Sequence, residues 1–127
     1  MDSGPGPEVP SAEELYRGLS TPQWWVAEEK RPSSAAFRFP VFSVDLASLA
    51  GSPETTLAHL PKGSGLVSFN CGGARALGFD ARLEIDPNHP DNKAHANVYS
   101  GHPSSQRKRM AQKLVALCTV VAEPSFS

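Results

Sequence analysis

The clearest pattern in the chain is a strict alternation over residues 79–85. Phe79, Ala81, Leu83 and Ile85 take one side, and Asp80, Arg82 and Glu84 take the other, as in a half-buried strand. A second alternation follows the polar loop Asp86-Pro87-Asn88-His89-Pro90-Asp91-Asn92-Lys93. There Ala94, Ala96 and Val98 face one way, while His95, Asn97 and Tyr99 face the other. The apolar run Gly65-Leu66-Val67-Ser68-Phe69-Asn70 predicts a buried strand, and Leu15-Tyr16-Arg17-Gly18-Leu19 a short one. Phe37, Phe39, Val41, Val44 and Leu46 mark an extended segment with a strand near 41–45. Pro40 places that strand at an edge or beside a bulge.

Helical signals lie between these segments. Ser52-Pro53-Glu54 supplies a capping serine, a proline at the first helical position and an acid in the first turn, predicting a helix to about Leu60. Ser11-Ala12-Glu13-Glu14 fits one capped helical turn. After the Gly72-Gly73 turn, a short helical stretch runs around Ala74-Arg75-Ala76-Leu77 and closes at Gly78. Met110, Leu114, Leu117 and Val121 recur at helical spacing behind a cap at Ser104 or Ser105, which predicts a C-terminal helix. Its first turn carries Arg107, Lys108 and Arg109, cations that oppose the macrodipole and point to an anionic partner. Trp24-Trp25-Val26 is an apolar patch expected to anchor in the core. Irregular alternation of strands and helices predicts an α+β single domain. A small mixed β-sheet would pack against the C-terminal helix and one or two shorter helices.

Composition refines this picture at the ends. The chain has 127 residues, enough for one domain whose core needs no metal or disulfide staple. Residues 1–11 are rich in Gly and Pro and poor in apolar side chains, so they are expected to be a disordered tail, leaving 12–123 as the domain. The start lacks the basic and apolar regions of a signal peptide, and no apolar run approaches the ~20 residues of a membrane helix. Cys71 and Cys118 make no disulfide framework, so a reducing cytoplasm is the expected compartment. Net charge is −1, which argues neither for nor against nucleic acid, and the basic residues form one short cluster with no recognised motif, so nucleic-acid binding has little support. A protein partner is expected, met by the His95-Asn97-Tyr99 face and the basic start of the last helix.

Three constellations carry candidate chemistry. The first is the loop and strand from Asp86 to Tyr99. The prolines stiffen the presentation of Asn88, His89 and Asp91, and the strand holds His95, Asn97 and Tyr99 on a rigid face. Asp86, Asp91, His95, Asn97 and Tyr99 are the expected binding residues of a small cytosolic binding or accessory interaction module. The histidines His59, His89, His95 and His102 match no metal-ligand spacing, so no metal is expected. The second constellation is Cys71 ahead of a Gly-Gly turn into a helix, with His95 as base and Asn97 or Asp86 to orient it, the logic of a cysteine-dependent hydrolase.

The third is Arg17, Ser43 and Glu54, carried by Tyr16-Arg17-Gly18, Phe42-Ser43-Val44 and Ser52-Pro53-Glu54-Thr55-Thr56-Leu57. Their order, with the Gly65-to-Phe69 stretch after the Glu-bearing helix, resembles NAD-using ADP-ribosyltransferase-like proteins, including RES domains. That resemblance spans about residues 15–80. It implies NAD as cofactor, with Arg17 on its phosphates and Glu54 on the nicotinamide ribose. The Gly-Arg-Trp-Asn-like element of RES domains is missing; Ala36-Phe37-Arg38-Phe39 stands in its place. Residues 15–120 also resemble small bacterial proteins without an assigned activity. The shared features are the Tyr16-Arg17-Gly18 start, the Arg75-Ala76-Leu77-Gly78 turn and an Asp86-Pro87…Ala94-His95-Ala96 segment; they imply one folding unit and no particular activity.

Overall fold

The computed structural model describes residues 6–126. In chain order the elements are β1 (Glu14–Leu19), β2 (Trp25–Val26), β3 (Arg31–Pro32), β4 (Val41–Leu46), α1 (Ala47–Ala50), α2 (Pro53–Leu57), β5 (Gly65–Asn70), α3 (Cys71–Ala76), β6 (Phe79–Leu83), β7 (His95–Ser100), α4 (Arg107–Val115) and β8 (Thr119–Ala122). Six strands form one sheet in the order β6-β7-β4-β1-β5-β8, and β2 pairs with β3 in a separate ribbon. The α+β class stands, but the sheet is not mixed: every neighbouring pair is antiparallel. The alternating sequences explain this. Strands with one apolar and one polar face suit an antiparallel sheet, whereas parallel strands read as unbroken apolar runs.

One face of the sheet carries the core. Leu15 and Leu19, Phe42 and Val44, Val67 and Phe69, Phe79 and Ala81, and Ala96 and Val98 meet Phe37, Ala111 and Leu114 from the covering layer. Phe37 stands edge-on to Phe42 and to Phe69, with ring centroids 5.5 and 6.0 Å apart. It sits on a 3-10 turn, Ser34–Phe37, whose cap Ser33 accepts a hydrogen bond from Ala35 N. Trp24 and Trp25 pack half-buried against this core.

Several expectations are revised. β4 is central rather than an edge strand, pairing with β1 and β7; Pro40 precedes its first residue, where no ladder donor is missed. The bulge lies instead between β5 and β8, at Leu66/Val67. The Ser52 cap forms as predicted, accepting from Thr55 N, but α2 ends at Leu57 and single turns carry the chain to Leu60. α4 ends at Val115 and buries Ala111 and Leu114; Leu117 turns outward, and Val121 belongs to β8. The β-branched run Thr119-Val120-Val121 favours that strand over a continuing helix. A 3-10 turn, Ser104–Gln106, replaces the serine cap.

The expected tail also differs. Residues 1–5 lie outside the described residues, but residues 7–9 extend the sheet beside β6. Val9 N donates to Ala81 O at 3.1 Å, and Leu83 N donates to Pro7 O at 2.8 Å. Val9 is 1% exposed. An open strand edge offers unpaired backbone groups; the segment pairs with them while Val9 enters the core. Ser11 to Glu13 forms a turn leading into β1, not a capped helix. We expect Val9→Ala to lower unfolding free energy by about 2 kcal/mol and Leu114→Ala by about 2–5 kcal/mol. Urea denaturation checks both; a change near zero for Val9 would mean that the segment does not dock.

Candidate functional site

The polar face of the sheet is built by register. Tyr16, Asp45 and His95 lie side by side on β1, β4 and β7, and Ser43 lies beside Asn97. β1 and β4 pair only at Leu15↔Leu46 and Tyr16↔Asp45, then part. The opening between them is a cleft of about 200 Å³. Arg17, Ser43 and Trp24 line it at the β1–β4 opening, while Asp45 and His95 line it on the sheet. Thr56, His59 and Leu60 of the α2 region and Asp86, His89 and Asn92 of the following loop complete it. Leu60 packs on Gly18, where an added Cβ would lie 2.5 Å from Leu60 Cδ1. A side chain at position 18 therefore displaces one wall of the cleft.

Arg17 occupies the opening. Its Nε and Nη2 donate to Ala36 O at 3.1 and 2.8 Å, and Nη1 donates to Ser43 O at 3.1 Å. The guanidinium carbon lies 4.6 Å from the Trp24 ring centroid and 5.0 Å from that of Phe42. Arg17 is 8% exposed, and no carboxylate pairs with it among the described residues. Burial lowers its pKa to about 10, so it remains cationic at neutral pH. A guanidinium carries five N–H donors; one N–H on each Nη has no acceptor among the described residues.

Asp45 and His95 form the other end. Asp45 is buried, and its two oxygens tie the cleft walls to β4: Thr56 Oγ1 donates to Oδ2 at 2.8 Å and Asn92 Nδ2 to Oδ1 at 2.9 Å. His95 Nδ1 lies 2.5 Å from Glu84 O. A carbonyl only accepts, so Nδ1 is the donor in this bond; in the neutral imidazole Nε2 then keeps its lone pair. Nε2 is buried and has no partner among the described residues. The His59 and His89 rings, both on exposed residues, are 6.4 Å apart between centroids.

The sequence-predicted residues divide. Arg17, Ser43, Asp86 and His95 meet in this cleft; Glu54 is exposed on α2 and does not line it, and Asp91 is exposed on the loop outside it. Thr56, two residues along α2, faces inward in Glu54's stead. Asn97 and Tyr99 share the face of His95 but bind Glu84: Asn97 Nδ2 donates to Oε1 at 2.9 Å, Tyr99 Oη to the same oxygen at 2.5 Å, and Gly6 N to Oε2 at 2.7 Å. Cys71 is a correction. It is 1% exposed in the core, its Sγ donates to Val9 O at 3.9 Å, and neither His95 nitrogen bonds it. Burial pushes its thiol up despite Arg75 nearby, so the thiolate a nucleophile requires is disfavoured. Among the described residues no group of three or more His, Cys, Asp or Glu is placed to hold a metal ion. No helix there is long and apolar enough to cross a membrane.

Sequence reasoning missed Asp45, Asn92 and Glu84. A signal for Asp45 exists: one acid stands in the apolar strand Val41-Phe42-Ser43-Val44-Asp45-Leu46, in phase with Ser43. No family model, curated protein or solved structure matches this chain.

Partial burial pushes the Glu84 carboxyl up, but hydrogen bonds from Tyr99, Gly6 and Asn97 outweigh it and hold the carboxyl below the usual range. A depressed folded-state pKa contributes stability that is present above the unfolded value, about 4.3, and lost as pH falls through the folded one. Glu84→Gln should therefore destabilise the protein at neutral pH and by progressively less toward acid. Urea midpoints at neutral and acidic pH check this; a gap that does not shrink in acid contradicts it.

Proposed function

We propose that the protein is a small binding module. Its ligand is a compact organic acid seated in the cleft between β1 and β4, with its carboxylate on Arg17. The observation that carries this reading is the buried Arg17 cation, which has no acidic partner among the described residues and N–H groups still to give. Buried charges in proteins are normally paired, because the desolvation penalty is several kcal/mol. A carboxylate matches the planar fork of a guanidinium, and Trp24 shields the pair from water.

The opposite end constrains the rest of the ligand. The Asp45 and Asp86 carboxylates line it beside the His95 ring. They disfavour a second anionic group and suit a hydroxyl or ammonium donor. The cleft holds only about 200 Å³. A hydroxy acid or amino acid of a few heavy atoms has the charges and the size. The thermal shift of the full chain against a panel of small hydroxy and amino acids tests this. A ligand of the native state raises Tm. Arg17→Lys keeps the charge but loses the fork, and should weaken binding by about tenfold or more. No response to any member of the panel, or an undiminished response in Arg17→Lys, contradicts the reading.

A further inference from the structure

A second, cationic groove lies away from this cleft, between α4 and the β2–β3 ribbon. It encloses about 500 Å³, and no carboxylate lines it. Arg31, Arg38 and Lys108 bring charge to it from three separate parts of the chain, and Ser33, Ser34 and Gln112 add polar groups. Arg31 is already neutralised by Glu29 at 2.5 Å. Arg38 and Lys108 have no acidic partner among the described residues.

The hydrogen bonds left unmade in the groove are donors. Ser34 is 7% exposed; its Oγ accepts from Arg38 Nε at 3.0 Å and from Nη2 at 2.6 Å, and its own hydroxyl proton finds no acceptor among the described residues. Ser33 Oγ likewise accepts, from Ala35 N at 3.2 Å. Arg38 Nη1 and the Lys108 ammonium are unengaged among the described residues. Lys108 also stands in the first turn of α4, where a cation opposes the helix dipole unless an anion sits beside it.

We infer that this groove binds a phosphomonoester. Two uncompensated cations match a dianion, and its several acceptor oxygens suit Arg38, Lys108 and the two serine hydroxyls. The inference does not depend on the ligand of the β1–β4 cleft, because none of these residues lines that cleft.

The test is an amide NMR titration of the full chain with inorganic phosphate, with O-phosphoserine and with a phosphoserine peptide. Sodium chloride at matched ionic strength is the control. Saturable shifts are expected at Ser33, Ser34, Arg38 and Lys108. Arg38→Gln and Lys108→Gln, both at exposed positions, should each weaken binding by about tenfold while leaving the rest of the spectrum in place. Equal affinity for phosphate and peptide assigns a small phosphate ester, and tighter peptide binding assigns a phosphorylated protein. Shifts reproduced by sodium chloride, or unchanged affinity in both variants, would overturn the proposal.

Discussion

The structure depends on what Arg17 does where two central strands part. β1 and β4 hold together for two residue pairs and then separate, leaving Ser43 O without a β1 donor. Arg17 supplies that donor from its side chain and joins the same strand to Ala36 of the covering 3-10 turn. A guanidinium is the side chain best suited to this, since it is planar, weakly hydrated and able to donate in several directions while stacked on Trp24 and Phe42. The bonds close the sheet and position the cleft at once. They also leave a buried positive charge with no carboxylate beside it among the described residues.

Around that charge the remaining polar groups have separate duties. Asp45 accepts from Thr56 and Asn92, and so fixes the α2 region and the 86–93 loop over the sheet. Glu84 is saturated by Tyr99, Asn97 and Gly6, so it fastens the N-terminal segment to β7. His95 stands between the two networks. One ring nitrogen is spent on Glu84 O, and the other is buried with no partner among the described residues. In the proposed reading, Arg17 and His95 are the groups left for a ligand.

Local pattern made much of this legible. β5 spans the six residues of the predicted apolar run, and the alternations at 79–85 and 94–99 hold β6, which stops at Leu83 and leaves Ile85 exposed, and most of β7. Even the facing of His95, Asn97 and Tyr99 follows from period two. What sequence could not supply is long-range. The docking of residues 7–9 rests on backbone hydrogen bonds, which leave no mark on side-chain pattern, and β8 follows a helix whose apolar spacing continues through it. Asn97 and Tyr99 look free on the strand because their partner, Glu84, comes from β6's far end. Arg17 was visible as a residue and not as a buried one: Leu15, Arg17 and Leu19 share a face, and only the parting of β1 from β4 explains a charge among them.

The most direct measurement is the side-chain NMR signal of Arg17 itself. The Nε–H of a buried, hydrogen-bonded guanidinium exchanges slowly and gives a resolved resonance. Adding a small hydroxy or amino acid should move that resonance saturably, together with the amides of Ser43 and Asp45, while the signals of exposed arginines such as Arg31 and Arg38 stay in place. A fixed Arg17 resonance, in the presence of a carboxylate that binds elsewhere or not at all, would contradict the account.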